Sequence, residues 1–592
     1  MGLRPTWGNE PPASAKPAAP AIRLNTIGYA PDAAKLATIA GGRAGFLIRD
    51  ARTSAEVFRG QLVPVETGEA ADQPLQIADF SAIDRDGDYR IELPNASCEF
   101  RVAKDFANWP FYCSLRAMYL WRCGTAVTGE FAGDRFHHDA CHLEDAYLDH
   151  VGGPPGQRKD GVGGWHDAGD YNKYTVNAAF TTAMIMKAWD HFGDQLATLK
   201  LDIPESENAT PDLLDEVRWE LEWLLKMQVD DGRVFHKVST LKFGGFIPPE
   251  DEQEPRYFSP WGTAATADLV AIMAQAARSF RSIDDEFAKR CLAAAKKSYA
   301  FLESHPADHR PDLSAFETGA YDAPDADDRL WAAAEMWETT GEAKYLRDFE
   351  NRILNWKGGA PREGGTPAET AAAIDEATGE ASPSRQPPGM VDIDWDWPNV
   401  RNLGSFTYLL SPRPGRDPAM VERLRRDTLR AADAIVETAR RHPYGRTLGA
   451  TYYWGCNGTV ARQTMNLEVA RRLTDKPRYR AAMLDAINHL FGRNPFGRSY
   501  VTGLGRRPPM FPHDRRSGGD DVAAPWPGYL VGGPWPNATD WHDIQEDYRT
   551  NETAINWNGA LIYALAAFVE PQSFDASVAA GQREASAGST EQ

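Results

Sequence analysis

The chain has 592 residues, 42% hydrophobic and 25% charged. This is the composition of a folded protein, on a length that asks for about two to four domains. Its formal net charge of −20 repels phosphate backbones. That argues against nucleic acid or an anionic membrane surface as partner and suits a neutral or cationic substrate. No apolar run reaches the roughly 18 residues of a membrane-spanning helix.

Residues 1–21 are rich in Pro and Ala and read as a flexible segment without the pattern of an export signal. Residues 22–105 carry short strand-like runs (IRLNTIGYA, KLATIAG, AGFLIRDA, VFRGQLVPVE, LQIADF, DYRIELP, CEFRVA) with turn residues between them. They predict a small β-sandwich. From 106 to 572 the apolar period becomes helical. In TPDLLDEVRWELEWLLKMQ (210–228), Thr210 and Pro211 start a helix whose stripe is Leu213, Val217, Leu221, Leu224 and Leu225. Similar stretches recur, from TVNAAFTTAMIMKAWDHF to NETAINWNGALIYALAAFV, separated by long loops rich in Gly, Pro and Trp. A large all-α domain is expected, with its loops building a site. Residues 573–592 read as a disordered tail.

Six cysteines occur, none in CxxC spacing, so neither a disulfide framework nor a redox motif is implied. The 18 Trp residues supply either a large aromatic core or flat platforms for sugar rings. GxGxxG in a strand–helix setting, GxxxxGK[ST], GxSxG and HExxH are all missing, which removes the main support for nucleotide, serine-hydrolase and zincin chemistry.

The densest ionisable stretch is GGWHDAGDYNKY (163–174). Asp167 and Asp170 flank Ala-Gly and could hold one water between them; a calcium loop or a helix-capping pair would look the same. Glu552 opens the last strong helix, where a glutamate is ordinarily a dipole partner. Glycoside hydrolysis needs two separated carboxyl groups, and an Asp pair with a distant Glu can supply them.

These stretches resemble glycoside hydrolase family 9. GGWHDAGDYNKY resembles the family's aspartate loop. NPFGRSYVTGLG (494–505) with PHDRR (512–516) resembles its histidine signature, and EDYRTNETAINWNGAL its acidic signature. YYWGCNGTV and DDRLWAAAEMWETTG are also family-like, and the match runs from about residue 22 to 570 in family order. The resemblance implies an immunoglobulin-like β-sandwich followed by an (α/α)6 barrel that cleaves β-1,4-glucosidic bonds with inversion. It implies Asp170 as general base, Asp167 as its helper on the water and Glu552 as general acid. His513 and Arg515 would bind sugar hydroxyls, with Tyr453, Trp454, Trp395, Trp397, Trp535 and Tyr548 as candidate substrate contacts. Asp514 stands where many members have a second His, and Cys456 where WGSN has Ser.

Cys123, Cys141, His142 and His166 match the structural zinc set of the branch with the immunoglobulin-like module, with His137 and His138 as rivals. ETGAYDAPDADDRL (317–330) offers Asp322, Asp325, Asp327 and Asp328 either as a solvated turn or as oxygen donors for calcium, which the resemblance places near this loop. A secreted or periplasmic monomer acting on β-glucan or oligosaccharides is expected. An exo-acting β-glucosidase or exo-β-glucosaminidase is the alternative, with the 357–394 insert as a possible block to the cleft. A non-catalytic sugar-binding protein and a lyase are more distant readings.

Overall fold

The computed structural model describes residues 19–42, 45–66, 73–133, 135–356 and 389–588. Residues 1–18 of the N-terminal segment and 357–388 of the insert lie outside the described residues.

Seven strands form the N-terminal unit: β1 Ile22–Arg23, β2 Leu36–Ala40, β3 Gly45–Asp50, β4 Glu56–Val65, β5 Leu75–Asp79, β6 Gly87–Leu93 and β7 Ala96–Val102. Their order is β1-β2-β5-β4-β3-β6-β7, and every pairing is antiparallel. The ten-residue β4 pairs with β3 through its first half and with β5 through its second. It therefore belongs to both layers of the sandwich. Alternate residues such as Ile39, Ile48, Ile91 and Val102 are fully buried between the layers, as the period of two requires.

Among the described residues, twelve helices of ten or more residues follow between 108 and 566. They are α1 Asn108–Leu120, α2 Thr175–Leu196, α3 Asp212–Met227, α4 Thr263–Ser279, α5 Asp285–Ser304, α6 Ala326–Thr340, α7 Ala343–Leu354, α8 Arg401–Leu410, α9 Pro418–Arg441, α10 Cys456–Thr474, α11 Pro477–Leu490 and α12 Ile555–Ala566. The even-numbered helices pack in a ring, α2 on α4, α4 on α6, α6 on α8, and α10 on α12 on α2. The segment 389–400 closes the ring between α8 and α10. There the Trp395 indole N–H donates to Asn466, and Asn402 and Asn466 both donate to Asp392 O. The odd-numbered helices lie outside, each on an inner neighbour.

Sequence decides which helix lies where. Every residue of α12, INWNGALIYALA, is buried. In α9 burial is limited to a stripe at Met420, Leu424, Thr428, Ala431, Ala432, Ile435 and Ala439, and its arginines face water. The sandwich docks on the barrel through Thr38 donating to Pro443 O (2.7 Å), Asn25 donating to Asn488 (2.9 Å) and the Thr26 N–H donating to Phe491 O (2.9 Å).

The tail differs from expectation. Phe574–Gly588 is a helix, α13. Its apolar residues are few but share a face: Phe574 meets the rings of Phe111 and Tyr112, and Ser577 donates to Asp105. A Cβ on Gly581 would overlap the Trp109 ring, so the small residue lets the helix lie against α1.

Candidate active site

The loop 163–174 crosses one end of the barrel and is fixed along its length. The Trp165 N–H donates to Glu220 (2.5 Å) and its indole to Glu216 (2.8 Å). The His166 N–H donates to Trp121 O (2.9 Å), and the Ile555 N–H donates to Asp167 O (2.9 Å). The loop ends in β8 Lys173–Tyr174, which pairs with β9 Lys237–Ser239, itself paired with β10 Tyr257–Phe258.

The two aspartates receive separate sets of donors. Asn177 donates to Asp167 Oδ1 (2.7 Å) and the Tyr321 hydroxyl to Asp167 Oδ2 (2.7 Å). The Tyr174 hydroxyl (3.1 Å) and the Asn172 amide donate to Asp170 Oδ2. Both carboxyls are buried. Burial, and then the charge of Asp170, push the Asp167 pKa well above the usual range, against the pull of its two donors.

Glu552 lies in extended backbone, three residues before α12, and does not cap that helix. Its carbonyl accepts from the Gly532 N–H (2.9 Å), and its backbone bridges to His513. That bridge, with His513 O packed against Gly169, places the glutamate beside the aspartate loop. A Cβ at Gly169 would collide with His513 O, so the approach of the two segments requires glycine. Burial raises the Glu552 pKa well above the carboxylate range, and the charges of Asp170 and Asp167 raise it further, whereas Arg515 and the Gly169 N–H oppose. A buried carboxyl that keeps its proton is what a general acid needs.

The remaining expected contacts divide. His513 Nδ1 faces Gln545 O (2.7 Å), an acceptor, so Nδ1 carries the proton. Arg515 donates through Nε and Nη2 to Gly244 O (3.2 Å each). Tyr548 and Trp454 are each 42% exposed with ring centroids 5.7 Å apart, and Trp397 packs edge-on to Tyr321. The Tyr453 hydroxyl donates to Asp394 (2.6 Å), and Trp535 lies beneath Arg549. Trp395 is not a platform: it is 2% exposed, wedged between Phe180 and Phe406. Asp514 pairs with the buried Arg516 (3.1 Å) and Cys456 faces Pro534 O, so both departures from the family pattern serve packing.

Cys123, Cys141, His142 and His166 converge, with one ligand atom of each within 4.8 Å of the others. Cys123 Sγ is 3.6 Å from His142 Nδ1, and Cys141 Sγ 3.7 Å from His166 Nε2. A tetrahedron with zinc bonds of about 2.0–2.3 Å has edges of roughly 3.3–3.8 Å, so the donor set fits. Burial pushes His166 down to about 3, which leaves the neutral imidazole a ligand requires. Glu252 accepts from His142 Nε2 (3.3 Å) and orients the ring. His138 is turned to Asp139 O and stands outside this set.

The four aspartates of the acidic loop take separate surroundings. Asp322 pairs with Arg310 (3.1 Å) and Asp325 with Arg329 (2.6 Å), Asp327 accepts from the Val400 N–H (2.7 Å), and Asp328 is buried against Asp268. The loop delivers Tyr321 to Asp167. Tyr321, Asn177, Glu252 and Tyr174 were missed as site residues. Tyr174 lay within the quoted motif, but the others carry no local signal.

With this geometry in view, the comparisons decide the family. The pattern of glycosyl hydrolase family 9 matches residues 110–565, and that of the cellulase N-terminal ig-like domain matches residues 17–97. This chain belongs to glycosyl hydrolase family 9. It is 49% identical to Endoglucanase D of Acetivibrio thermocellus over 93% of this chain and 83% of that one. It is 33% identical to the xyloglucan-specific endo-beta-1,4-glucanase BoGH9A of Bacteroides ovatus over 93% and 94% of the two chains. A solved structure titled Bacteroides ovatus GH9 superposes with a TM-score of 0.81 at 32% identity, covering 93% of this chain and 99% of that one. The family member is therefore an O-glycosyl hydrolase with an immunoglobulin-like domain ahead of a six-hairpin barrel.

Proposed function

We propose that this protein hydrolyses the β-1,4-glucosidic bonds of cellulose, related β-glucans or cello-oligosaccharides with inversion at the anomeric carbon. The observation that carries the reading is the pairing of the Glu552 and His513 backbones against Gly169, which brings the buried Glu552 carboxyl to the loop that holds Asp167 and Asp170. Glu552 gives its proton to the leaving oxygen. Asp170 takes a proton from water, and Asp167, held by Tyr321 and Asn177, fixes that water's second hydrogen. The base and acid carboxyls must stand roughly 6.5–9.5 Å apart to leave room for the water, and release of the inverted sugar is the consequence.

A zinc ion held by Cys123, Cys141, His142 and His166 fits the donor set as a closed structural site. When bound, it ties the α1 end and the 141–142 strand of loop to the aspartate loop and takes no part in bond cleavage. A substrate that is a polymer places the enzyme outside the cytoplasm, and a site completed within one chain lets it act as a monomer.

Hydrolysis of cello-oligosaccharides, followed by product analysis and anomeric NMR, tests the reading. Glu552→Gln and Asp170→Asn should each lower kcat by about 10²–10⁴, with the α-anomer released first by the unsubstituted enzyme. Wild-type rates in either variant would remove the assigned roles, and a β-anomer would remove inversion.

A further inference from the structure

We infer that Lys237 is a positioning residue for the reaction: it holds the 316–321 loop against the β8–β9 pair, so that Tyr174 and Tyr321 present their hydroxyls to the two aspartates. The inference rests on the hydrolytic reading above and deepens it. Tyr174 and Lys237 stand directly opposite each other across β8 and β9, which puts their side chains on one face. Lys237 Nζ lies 5.4 Å from the centre of the Tyr174 ring and 4.7 Å from that of Phe316. It donates to Thr318 Oγ1 (2.9 Å) and to Gly319 O (2.8 Å). Ser239 Oγ, on the same strand, is 2.7 Å from Thr318 Oγ1, and the Glu317 N–H donates to Leu241 O (2.7 Å). A Cβ on Gly319 would stand 3.1 Å from the Tyr174 hydroxyl oxygen, so the loop packs on the phenol that donates to Asp170. Two residues further on, Tyr321 meets the Tyr174 ring, with 4.6 Å between centroids, and donates to Asp167. One ammonium therefore lies behind both tyrosines.

Lys237 is a costly way to tie down a loop. It is fully buried, and both of its hydrogen-bond acceptors are neutral. Lys173 and Lys187, buried in the same barrel, lie instead against Asp145 (2.8 Å) and Glu335 (3.0 Å). An ammonium taken out of water without a carboxylate at contact distance works against folding. Burial pushes the Lys237 pKa down to about 7, and the charge of Asp170 pulls the other way. The cation is thus placed to feel the carboxylate assigned as base. An apolar side chain would fill the space at less cost; the ammonium adds two directed donors and a positive charge behind Tyr174. Stability given up beside reacting groups is the usual trade between stability and activity.

The test measures kcat and KM on cellohexaose, and Tm by calorimetry, for the native chain, Lys237→Met, Thr318→Val and the two substitutions together. Lys237→Met keeps an unbranched side chain and removes the charge and the donors. It is expected to lower kcat by about ten-fold or more with KM within about two-fold, since a fully buried side chain makes no sugar contact. At about pH 6, below the folded pKa, the full cost of the buried charge is present, so Lys237→Met should leave Tm level or raise it. Thr318→Val removes one of the two acceptors. It should lower kcat by about two- to five-fold alone and add nothing further to Lys237→Met. An unchanged kcat in Lys237→Met, losses that multiply in the double variant, or a loss of kcat that comes with a lower Tm overturns the role. If Lys237→Met does not fold, Thr318→Val decides: a lower kcat at constant KM upholds the role and an unchanged kcat rejects it. A native chain that cleaves nothing overturns the hydrolytic reading and this role with it, whereas an active native chain with unaffected variants overturns the role alone.

Discussion

At the scale of single residues, the site is an arrangement of three carboxyls in which position sets role. Asp167 has a donor on each oxygen, and Glu552 is raised by burial and by both aspartates. Glu552 must be protonated to act, so activity is lost as pH rises through its folded pKa. Asp167→Asn removes the partner proposed for the water's second hydrogen, so kcat on cello-oligosaccharides should fall. An unchanged kcat would remove Asp167 from that role. Asp167, Asp170 and Glu552 were legible in sequence because each sits in a distinctive stretch. Tyr321 was not, since nothing near it marks a residue whose partner lies 154 positions away. Its neighbours Asp322 and Asp325 are acidic and draw the eye first, and only the fold shows that they pair with Arg310 and Arg329.

At the scale of elements, the barrel helices announced themselves through their period, but inner and outer positions followed from how many faces were apolar. Helix α13 shows the limit of composition. SFDASVAAGQREASAGSTEQ is small and polar on average, and averages hide a face made of Phe574, Val578 and Gly581. Truncation after Glu570 should expose Trp109, Phe111 and Tyr112 and lower the thermal midpoint measured by calorimetry. At about 2–4 °C per kcal/mol for domains of 150–250 residues, with smaller shifts in a larger unit, loss of one buried phenylalanine alone should be detectable. An unchanged midpoint would mean that α13 contributes nothing to the barrel. The same reasoning applies to Trp395, which composition counts among possible platforms and the α8–α10 gap consumes as packing.

For the molecule as a whole, the Cys123, Cys141, His142 and His166 cluster and the aspartate loop form one mechanical unit. His166 is adjacent in sequence to Asp167, and its imidazole points into the Cys123, Cys141 and His142 cluster while Asp167 turns to Tyr321 and Asn177. Removing the metal should therefore cost stability first and rate second. One zinc per chain is expected by elemental analysis, and chelation or Cys123→Ser should lower the midpoint and reduce kcat without shifting its pH limbs. Full activity in a metal-free chain would separate the two halves of the loop. The N-terminal sandwich joins the same whole through Thr38, Asn25 and Thr26 on the 443–491 region, on segments other than the aspartate loop and Glu552.

The sequence by itself determined the two-part architecture, through its periodicity, and the family, through dense motifs in order. The resemblance those motifs carry pointed to Asp167, Asp170 and Glu552 and to Cys123, Cys141, His142 and His166, whose side chains the fold brings together as a Cys/His set. The tertiary structure decided which tyrosine holds which aspartate, that Trp395 is wall while Trp454 is surface, and that Asp322 and Asp325 pair with arginines. Those facts depend on contacts between segments hundreds of residues apart, where burial and donor geometry, and not local spacing, fix what a side chain can do.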